Sequence, residues 1–428
     1  MRWGVVGSGA TRVGGAVIAF AVQLGIARAL GPSHFGVYSY LVAWIVTLSA
    51  ISTLGMDSAA VRLVARYSVQ PDGNSARAFV WYALRSVFIA GLVAGALLYF
   101  VVPVASGFIA LPSDRTLLLI AAFAVPGVAL LNVLCSAIQG AGWPIIGQTP
   151  LLVIRPVFLG TTFFVLAAAM WRVSGPLLAI TAEGLSIILG VAFASMLALW
   201  LLPRANQQSS AADDPRRLWQ MIAGLFAVGV LQIVLTQSAV LILGWNAAPD
   251  EAGRYAAAAR ITTVISIALG SINALAAPRI AQLHAIDAQG DLARLARWVA
   301  QASFGIGLPI AVLLLLFGRR ILDLLGHGFG ESYWVLCILT LGQIVNAGAG
   351  CVLQIMMMTG HQSVAVRTLG VVAVANVLAL VLFVPASGAM AAAWVSACTV
   401  ITWNVVLVRW IRRNLGLDPS ILPMRPVR

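Results

Sequence analysis

Apolar runs long enough to cross a membrane recur from one end of this 428-residue chain to the other. The hydrocarbon core of a bilayer is about 30 Å thick, and a helix that crosses it needs about 20 predominantly apolar residues. The strands of a transmembrane β-barrel alternate apolar and polar residues instead, so these continuous runs exclude a barrel. Twelve membrane-spanning helices are therefore predicted, near residues 4–27, 36–57, 80–102, 117–139, 148–170, 176–201, 218–244, 254–277, 299–317, 332–358, 364–384 and 388–409.

Composition agrees with an all-α integral membrane protein. Only 9% of the residues are charged and 61% are hydrophobic, whereas a soluble domain carries roughly a quarter charged residues. The longest segments outside the helices are residues 58–79, 203–217, 278–298 and 318–331. Each is shorter than the minimum of about 40 residues that folds alone. The function is therefore expected to reside in the helical bundle.

Basic residues are distributed by topology. All 26 are arginine, and the net charge is +13. Most of them fall on one side of the membrane if the N-terminus is cytoplasmic, as the positive-inside rule requires. This asymmetry predicts that both termini are cytoplasmic, and it argues against a nucleic-acid partner. Only Arg12, Arg85, Arg155 and Arg260 fall within predicted spans.

Motifs for cofactors and enzymes are missing from the sequence. The four cysteines lie in apolar spans without paired spacing, which indicates neither a disulfide framework nor a metal site. There is no lysine, hence no Walker-type loop, and there is no HExxH motif. No cofactor is expected, and the chain is not expected to be an enzyme. Without a nucleotide-binding loop, a transporter of this sequence would draw its energy from an H⁺ or Na⁺ gradient, from the membrane potential or from later consumption of its cargo.

An internal repeat divides the chain into two halves. Matching positions recur at an offset of 217 or 218 residues: Gly36 and Gly253, Tyr38 and Tyr255, Arg62 and Arg279, and Gly142 and Gly360. Six helices separate equivalent positions, so the halves have the same orientation and are related by a pseudo-two-fold axis along the membrane normal. The predicted parts are helical bundles 1–201 and 218–411, a linker 202–217 and a tail 412–428, with the substrate in a cleft between the bundles.

Charged residues inside spans are functional hypotheses, because each costs about 2.5–3.5 kcal/mol to insert. Arg12 shares a stripe of the first helix with Gln23, and Arg155 and Arg260 lie in the fifth and eighth helices. We expect these three arginines to line a cationic lumen and bind substrate. The alternatives are a packing role for Arg12 and snorkelling to the interface for Arg155 and Arg260.

Two acidic residues are candidates for ion coupling. Glu183 is the only acid well inside a span, and it is either a protonatable coupling site or an ion-pair partner of Arg155. Asp57 lies at the end of the second helix, five residues before Arg62, and an interfacial ion pair is the alternative to coupling there. Arg62 and its repeat partner Arg279 are expected to serve topology or a cytoplasmic gate.

Uncharged polar residues form stripes on two helices. A polar lumen is predicted from Gln23, Asn132, Gln139, Gln343, Asn346 and Gln354. Amide side chains suit a cargo rich in hydroxyl groups. In an apolar bundle the same residues can instead join helices to each other by hydrogen bonds.

The segments Ala27–Tyr38 and Leu54–Arg62 resemble the first two helices of the polysaccharide-exporter proteins, which include the Wzx-type flippases. These belong to the multidrug/oligosaccharidyl-lipid/polysaccharide (MOP) superfamily. The resemblance implies two six-helix bundles of the MATE type in the bacterial inner membrane, alternating access, and undecaprenyl-pyrophosphate-linked oligosaccharide as the cargo. It implies that Arg12, Arg155 and Arg260 hold the pyrophosphate, since guanidinium binds phosphate through paired hydrogen bonds. A polysaccharide polymerase or another assembly protein is the implied partner.

Other functions compete with this interpretation. A multidrug exporter of the same superfamily would favour an acidic cavity, and lipid II flippases usually have fourteen spans. A membrane-embedded sugar transferase or polymerase would need catalytic carboxylates or histidines on a sizeable outer loop, and the predicted outer loops are short. A structural scaffold would not explain Arg12.

Overall fold

The computed structural model describes residues 2–69, 73–105, 115–169, 175–202, 215–246 and 249–421. The chain forms two compact units. The N-terminal unit comprises Met1–Ile233 and Gly244–Asp250, and the C-terminal unit comprises Val234–Leu243 and Glu251–Arg428. Every regular element among the described residues is helical.

Thirteen α-helices are described, together with one π-helical and one 3₁₀ segment. In the N-terminal part of the chain they are α1 (Arg2–Ser52), α2 (Met56–Val69), α3 (Gly73–Ala105), α4 (Arg115–Gly140), α5 (Pro144–Thr149), the π segment (Pro150–Ile154), α6 (Arg155–Ala169) and α7 (Pro176–Leu201). The remainder are α8 (Pro215–Trp245), α9 (Pro249–Ala285), α10 (Gln289–Leu324), the 3₁₀ turn (Gly330–Ser332), α11 (Tyr333–Ala349), α12 (Val352–Met358) and α13 (Gln362–Leu415).

The described helices confirm a multi-spanning membrane protein. Within the described ranges, ten helices are long and apolar enough to cross a bilayer if α5, the π segment and α6 are counted as one. Two of these ten, α1 and α13, have 51 and 54 residues, about twice the length that one crossing needs. Each contains one glycine with a non-helical backbone, Gly31 (φ 72°) and Gly388 (φ 52°). Divided at these glycines, the ten helices account for the twelve predicted spans.

Most helices differ from the predicted bounds by a few residues, and three differ because the backbone changes conformation. The second span ends at Ser52 rather than residue 57, because Leu54 (φ 51°) and Gly55 (φ 75°) turn the chain before α2. The fifth begins at Pro144 and contains the π segment. The tenth is broken between α11 and α12 at Gly350, which has φ 74°. In each case a local change of backbone conformation interrupts an apolar run that reads as continuous.

The segment that follows α13 packs against the break between α11 and α12. The N–H of Ile421 donates to the carbonyl of Gly348, and a Cβ on Gly350 would lie 2.7 Å from the carbonyl oxygen of Pro419. Arg412 donates from Nε and Nη2 to Asp418 at 3.0 and 2.8 Å. The chain after the last helix is therefore part of the folded C-terminal unit.

Equivalent positions of the repeat have equivalent conformations. Gly142 (φ 93°) and Gly360 (φ 81°) both adopt the left-handed backbone that follows a helix end. Tyr38 and Tyr255 are both buried, and each hydroxyl forms a hydrogen bond within its own unit. These pairs support the offset of 217 or 218 residues that the sequence predicts.

Candidate functional site

A chain of four polar side chains crosses the interior of the N-terminal unit. Gln23 donates from Nε2 to the Tyr38 hydroxyl at 3.3 Å, and the Tyr38 hydroxyl donates to Oε2 of Glu183 at 3.1 Å. The other carboxylate oxygen, Oε1, forms an ion pair with Nη2 of Arg155. The four residues come from α1, the start of α6, and α7. An ion pair with Arg155 was one of the two interpretations of Glu183, and the structure contains this ion pair.

The two charged side chains of this pair differ in how far they are buried. The Glu183 side chain is 3% exposed and the Arg155 side chain 19% exposed. An isolated charge is very costly at such a position, so each group requires the other. Glu183 has both oxygens engaged. Arg155 is the more accessible partner, and its Nε has no hydrogen-bond partner among the described residues.

The π segment positions Arg155. Pro150 opens it, and its last residue, Ile154, directly precedes Arg155. Short π-helical insertions in α-helices are frequent at functional sites. The segment packs on α1, where a Cβ at Gly15 would lie 2.4 Å from the carbonyl oxygen of Leu152. Glycine at this position allows α1 to approach the π segment closely.

A second polar chain lies in the C-terminal unit and includes two of the predicted amides. Oε1 of Gln343 accepts hydrogen bonds from the Ser266 hydroxyl at 3.0 Å and from Nδ2 of Asn346 at 3.2 Å. Oδ1 of Asn346 in turn accepts one from Nδ2 of Asn404 at 3.0 Å. This chain connects α9, α11 and α13. It joins helices, and it also concentrates amide groups within the membrane-spanning part of the unit.

A third polar group is fully internal to the C-terminal unit. Asn376 donates from Nδ2 to the Ser238 hydroxyl at 2.8 Å and accepts from the Thr399 hydroxyl at 2.9 Å. All three side chains are buried, with 2%, 5% and 8% exposure respectively. The group connects α8 to both halves of α13, and it is an interhelical contact of the kind expected for polar residues in a bundle.

The remaining predicted site residues are dispersed. The side chain of Arg12 lies outside the described residues, although its backbone is part of α1. Arg260 in α9 and Asn132 in α4 are half-buried, and Gln139 donates to the carbonyl of Cys135 at 3.2 Å. Gln354 lies in α12, beyond the break, so it does not continue the helix that carries Gln343 and Asn346.

Asp57 and Arg62 lie in α2, which is not one of the ten long apolar helices, and Arg279 lies in the last third of α9. Asp57 is in the first turn of α2, and burial raises the pKa of its carboxyl above the ordinary value, an effect that the N–H of Ser58 partly offsets. Arg62 in α2 is exposed. Arg279 in α9 is also exposed and donates to Oε1 of Gln282 at 3.3 Å. A role of the two arginines in topology or in a cytoplasmic gate stays a prediction.

Sequence reasoning missed Tyr38, Ser266 and Asn404 as site residues. Tyr38 had a signal in the sequence, since it recurs in the second half as Tyr255. Asn404 is an amide within a predicted span, which is the same signal that selected Asn346. Ser266 carries no such signal, because serines in membrane helices commonly bond to their own backbone, as Ser271 does with the carbonyl of Ile267.

Solved structures with the same fold are membrane transporters. A multidrug resistance transporter of the MATE family in an inward-facing conformation is 16% identical, with a TM-score of 0.70 over 96% of this chain and 98% of that chain. A MATE protein in complex with MaD5 is 15% identical, with a TM-score of 0.69 over 96% of each chain. A MOP-superfamily transporter from Pyrococcus furiosus is 15% identical, with a TM-score of 0.64 over 96% and 95%.

The described helices of this chain therefore share the fold of these multi-pass membrane transporters. The sequence profile of the family described as "Polysaccharide biosynthesis protein" matches residues 10–284, well over half of the chain. The chain belongs to this family, which confirms the resemblance found in its first two helices. No curated protein matches the sequence.

Proposed function

We propose that this protein flips undecaprenyl-pyrophosphate-linked oligosaccharides from the cytoplasmic to the outer leaflet of a bacterial inner membrane, for polysaccharide biosynthesis. Both termini would be cytoplasmic, and transport would proceed by alternating access. The family match supports a role in polysaccharide biosynthesis, and the fold supports transport. A polysaccharide polymerase or another assembly protein would receive the cargo.

The observation that carries the proposal is the set of contacts and the exposure of the Arg155 side chain. Its guanidinium is paired with Glu183 and its side chain is 19% exposed, while its Nε is buried and lacks a partner among the described residues. A pyrophosphate is the part of a lipid-linked sugar that hydrocarbon rejects most strongly. Guanidinium groups bind phosphate oxygens through paired hydrogen bonds. The chain contains no lysine, and Arg155 supplies a guanidinium group at this position. Arg12 and Arg260 would add to the cationic site.

The amide groups would bind the sugars. Gln343, Asn346 and Asn404 form a connected chain with Ser266, and amides both donate and accept hydrogen bonds. A glycan hydroxyl does the same, so this chain offers matching groups for it. Gln23 has a buried Oε1 without a partner among the described residues, and this acceptor would become accessible to the cargo only when the helices around it move apart.

Coupling to an ion gradient would use Glu183. When a phosphate engages Arg155, the carboxylate of Glu183 competes with it for the same guanidinium. Binding of the head group would then change the contacts of Glu183, which is how an ion at this acid would be linked to the cargo. Asp57, at the start of α2, is the second acid proposed for coupling to H⁺ or Na⁺.

The test measures translocation of a lipid-linked sugar in proteoliposomes. Fluorescent undecaprenyl-pyrophosphate-linked disaccharide is scored by its accessibility to a glycosidase added outside. Three variants are compared: Glu183→Gln, Arg155→Gln/Glu183→Gln and Arg85→Gln. The first keeps the cation, the second removes it without leaving Glu183 unpaired, and the third neutralises an exposed arginine of α3.

We expect the double variant to lose transport by at least tenfold relative to Glu183→Gln, with Arg85→Gln unchanged. Transport by the double variant at the wild-type rate would remove Arg155 from head-group binding. No translocation of the lipid-linked disaccharide by the wild-type protein, at confirmed folding, would overturn the proposed cargo.

Multidrug export is the second candidate function. The transporters that share the fold include a MATE family multidrug resistance transporter, and Glu183 is an acid of the kind that a cationic drug would bind. In the N-terminal unit, however, that acid is already neutralised by Arg155. The same proteoliposomes decide between the two functions: ethidium uptake driven by an imposed proton gradient, without movement of the lipid-linked sugar, would favour drug export.

A further inference from the structure

The chain after α13 folds back as a short strap, residues 416–421, over the break between α11 and α12. Gly416 (φ 64°) ends α13 and turns the chain. Leu417 and Ser420 are then buried, with 3% and 9% exposure. Leu417 belongs to the same hydrophobic cluster as Cys351, which precedes α12. The strap is therefore packed on the break itself.

The strap takes a hydrogen-bond acceptor that a continuous helix would use. The N–H of Ile421 donates to the carbonyl of Gly348 at 3.1 Å. In an unbroken α-helix this carbonyl would accept from the N–H of residue 352, four positions further on. The carbonyl oxygen of Pro419 also lies 2.7 Å from the position of a Cβ on Gly350. The docked strap and a continuous helix therefore compete for the same backbone.

One carboxylate holds the strap to the end of α13. Oδ1 of Asp418 accepts from Nε and Nη2 of Arg412 at 3.0 and 2.8 Å. It also accepts from the N–H and the hydroxyl of Ser420 at 3.1 and 3.0 Å. Because the side chains of the ion pair are only 18% and 19% exposed, solvent screens this contact less than it would a surface pair.

Local sequence does not encode the break. Residues 332–358 form one apolar run without a proline. A helix normally begins after a side-chain cap such as serine or aspartate, but Cys351 precedes α12 and makes no side-chain cap hydrogen bond. Gly350 adopts φ 74° in the break, and glycine is equally able to adopt helical angles. The broken form therefore depends on tertiary contacts, of which the strap is one.

Straightening this helix would change its polar face. At about 100° per residue, Gln343, Asn346 and Gln354 share one face of a continuous helix. In the structure Gln343 and Asn346 form a hydrogen bond on α11, whereas Gln354 lies beyond the break in α12. Joining α11 to α12 would extend the amide stripe by Gln354, to a length of about 16 Å.

We propose that the strap is a conformational switch. While it is docked, it holds the helix in the broken form; when it is released, α11 and α12 join and Gln354 completes the amide stripe. An element with two discrete packings converts a small local change into movement of a whole helix. The switch concerns the conformational cycle of the protein, so it does not depend on which cargo is carried.

The first experiment releases the strap. The variant Asp418→Ala/Ile421→Pro removes the acceptor that holds the strap and the N–H that it donates to Gly348. Its control is Arg413→Ala/Asn414→Ala, which changes two exposed residues at the same end of α13.

Spin labels report whether the helix straightens. They are attached to cysteines at Trp334, at the start of α11, and at Ser363, just after α12, in full-length protein without its four native cysteines. Both positions are exposed. Double electron–electron resonance in nanodiscs measures the distance between the labels, and a straight helix separates its ends further than two helices joined at a bend.

We expect the release variant to shift at least half of the distance distribution to longer values, and the control to match the wild type. If the release variant keeps the wild-type distances, the break does not depend on the strap and the proposal is wrong. Distances that broaden without becoming longer would show loss of packing instead of a joined helix, and would also overturn it.

A disulfide provides the opposite change. A Cβ on Gly348 would lie 3.5 Å from Cγ1 of Ile421, so cysteines at these two positions are within reach of each other. The variant Gly348→Cys/Ile421→Cys keeps the strap docked when it is oxidised, and Gly348→Ser/Ile421→Ser controls for the oxidant. Proteoliposomes are assayed with the fluorescent lipid-linked disaccharide and with ethidium in parallel.

We expect oxidation to slow transport by at least tenfold, and reduction to restore it, in the cysteine variant alone. Equal transport by its oxidised and reduced forms would show that the helix need not straighten, and would overturn the switch. If the reduced protein moves neither compound, the proposed function is wrong, whereas the spin-label distances still decide whether the strap controls the break.

Discussion

Arg155 and Glu183 form an ion pair between α6 and α7, and Tyr38 of α1 donates to the free oxygen of the same carboxylate. One acid thus connects three helices of the N-terminal unit. Because Glu183 is nearly completely buried, removing either of its partners has a larger effect than a surface substitution would have.

Replacing Arg155 with leucine is expected to destabilise the protein by about 3–5 kcal/mol, since it leaves a buried carboxylate unpaired. The double variant Arg155→Leu/Glu183→Leu is expected to recover most of this loss, because no buried charge remains. Denaturant titration of the purified protein in detergent measures both. Equal destabilisation of the single and double variants would show that the pair acts through packing and not through charge.

Removing the hydroxyl group is expected to reduce the stability of the protein more at Tyr38 than at its repeat equivalent, Tyr255. Tyr38→Phe removes a hydrogen bond to a charged group, worth about 1.5–3 kcal/mol, whereas Tyr255→Phe removes one to the Ser396 hydroxyl, worth about 0.5–1.5 kcal/mol. Both rings are buried, so the loss of the hydroxyl is the main difference. Thermal unfolding of the two variants gives the ranking, and a larger effect at Tyr255 would contradict it.

Gly15 and Gly14 provide a matched pair on α1. A Cβ at Gly15 would meet the Leu152 carbonyl oxygen at 2.4 Å, whereas one at Gly14 meets no atom of the described residues within 4 Å. Gly15→Ala is therefore expected to cost about 1–3 kcal/mol through overpacking. Gly14→Ala is expected to be neutral or to stabilise by up to about 1 kcal/mol through helix propensity. Thermal unfolding measures both, and similar values would mean that α1 does not pack closely on the π segment.

The carboxyl group of Asp57 is expected to make the free energy of unfolding depend on pH. Burial raises the pKa of its carboxyl in the folded state, so its contribution to stability is fully present below the unfolded value of about 3.9 and is lost as the pH rises through the folded value. Asp57→Asn stays neutral, and we expect its melting temperature to exceed that of the wild type near neutral pH. The difference is expected to shrink as the pH approaches about 4. A constant difference across this range would exclude titration of Asp57 as the cause.

The membrane-spanning architecture could be predicted because it depends on composition over about 20 residues at a time. The repeat could also be predicted, and the matching conformations of Gly142 and Gly360 support it. The break between α11 and α12 at Gly350 could not. The chain has 40 glycines, and whether one of them interrupts a helix depends on the approach of distant backbone, as with Pro419 against Gly350.

Part of the candidate site followed from the sequence for a similar reason. A buried charge is so costly that Arg155 and Glu183 each required a partner, and few partners exist inside the spans. Hydrogen bonds between neutral side chains carry no such requirement. Ser266 bonds to Gln343, while Thr263 bonds to the carbonyl of Ala259 in its own helix, and the sequence does not distinguish these outcomes.

The π segment before Arg155 also bears on how this helix tolerates changes in length. A π turn contains one residue more than the regular helix around it needs, and one residue corresponds to a rotation of about 100°. If the same residues formed a regular helix, Arg155 would be rotated by about 100° away from Glu183, although both side chains would still be present. Deleting a single residue from Pro150–Ile154 would remove the extra residue together with the π turn and keep Arg155 directed at Glu183. The direction in which Arg155 points thus depends on the match between the length of this segment and its backbone conformation as well as on residue type.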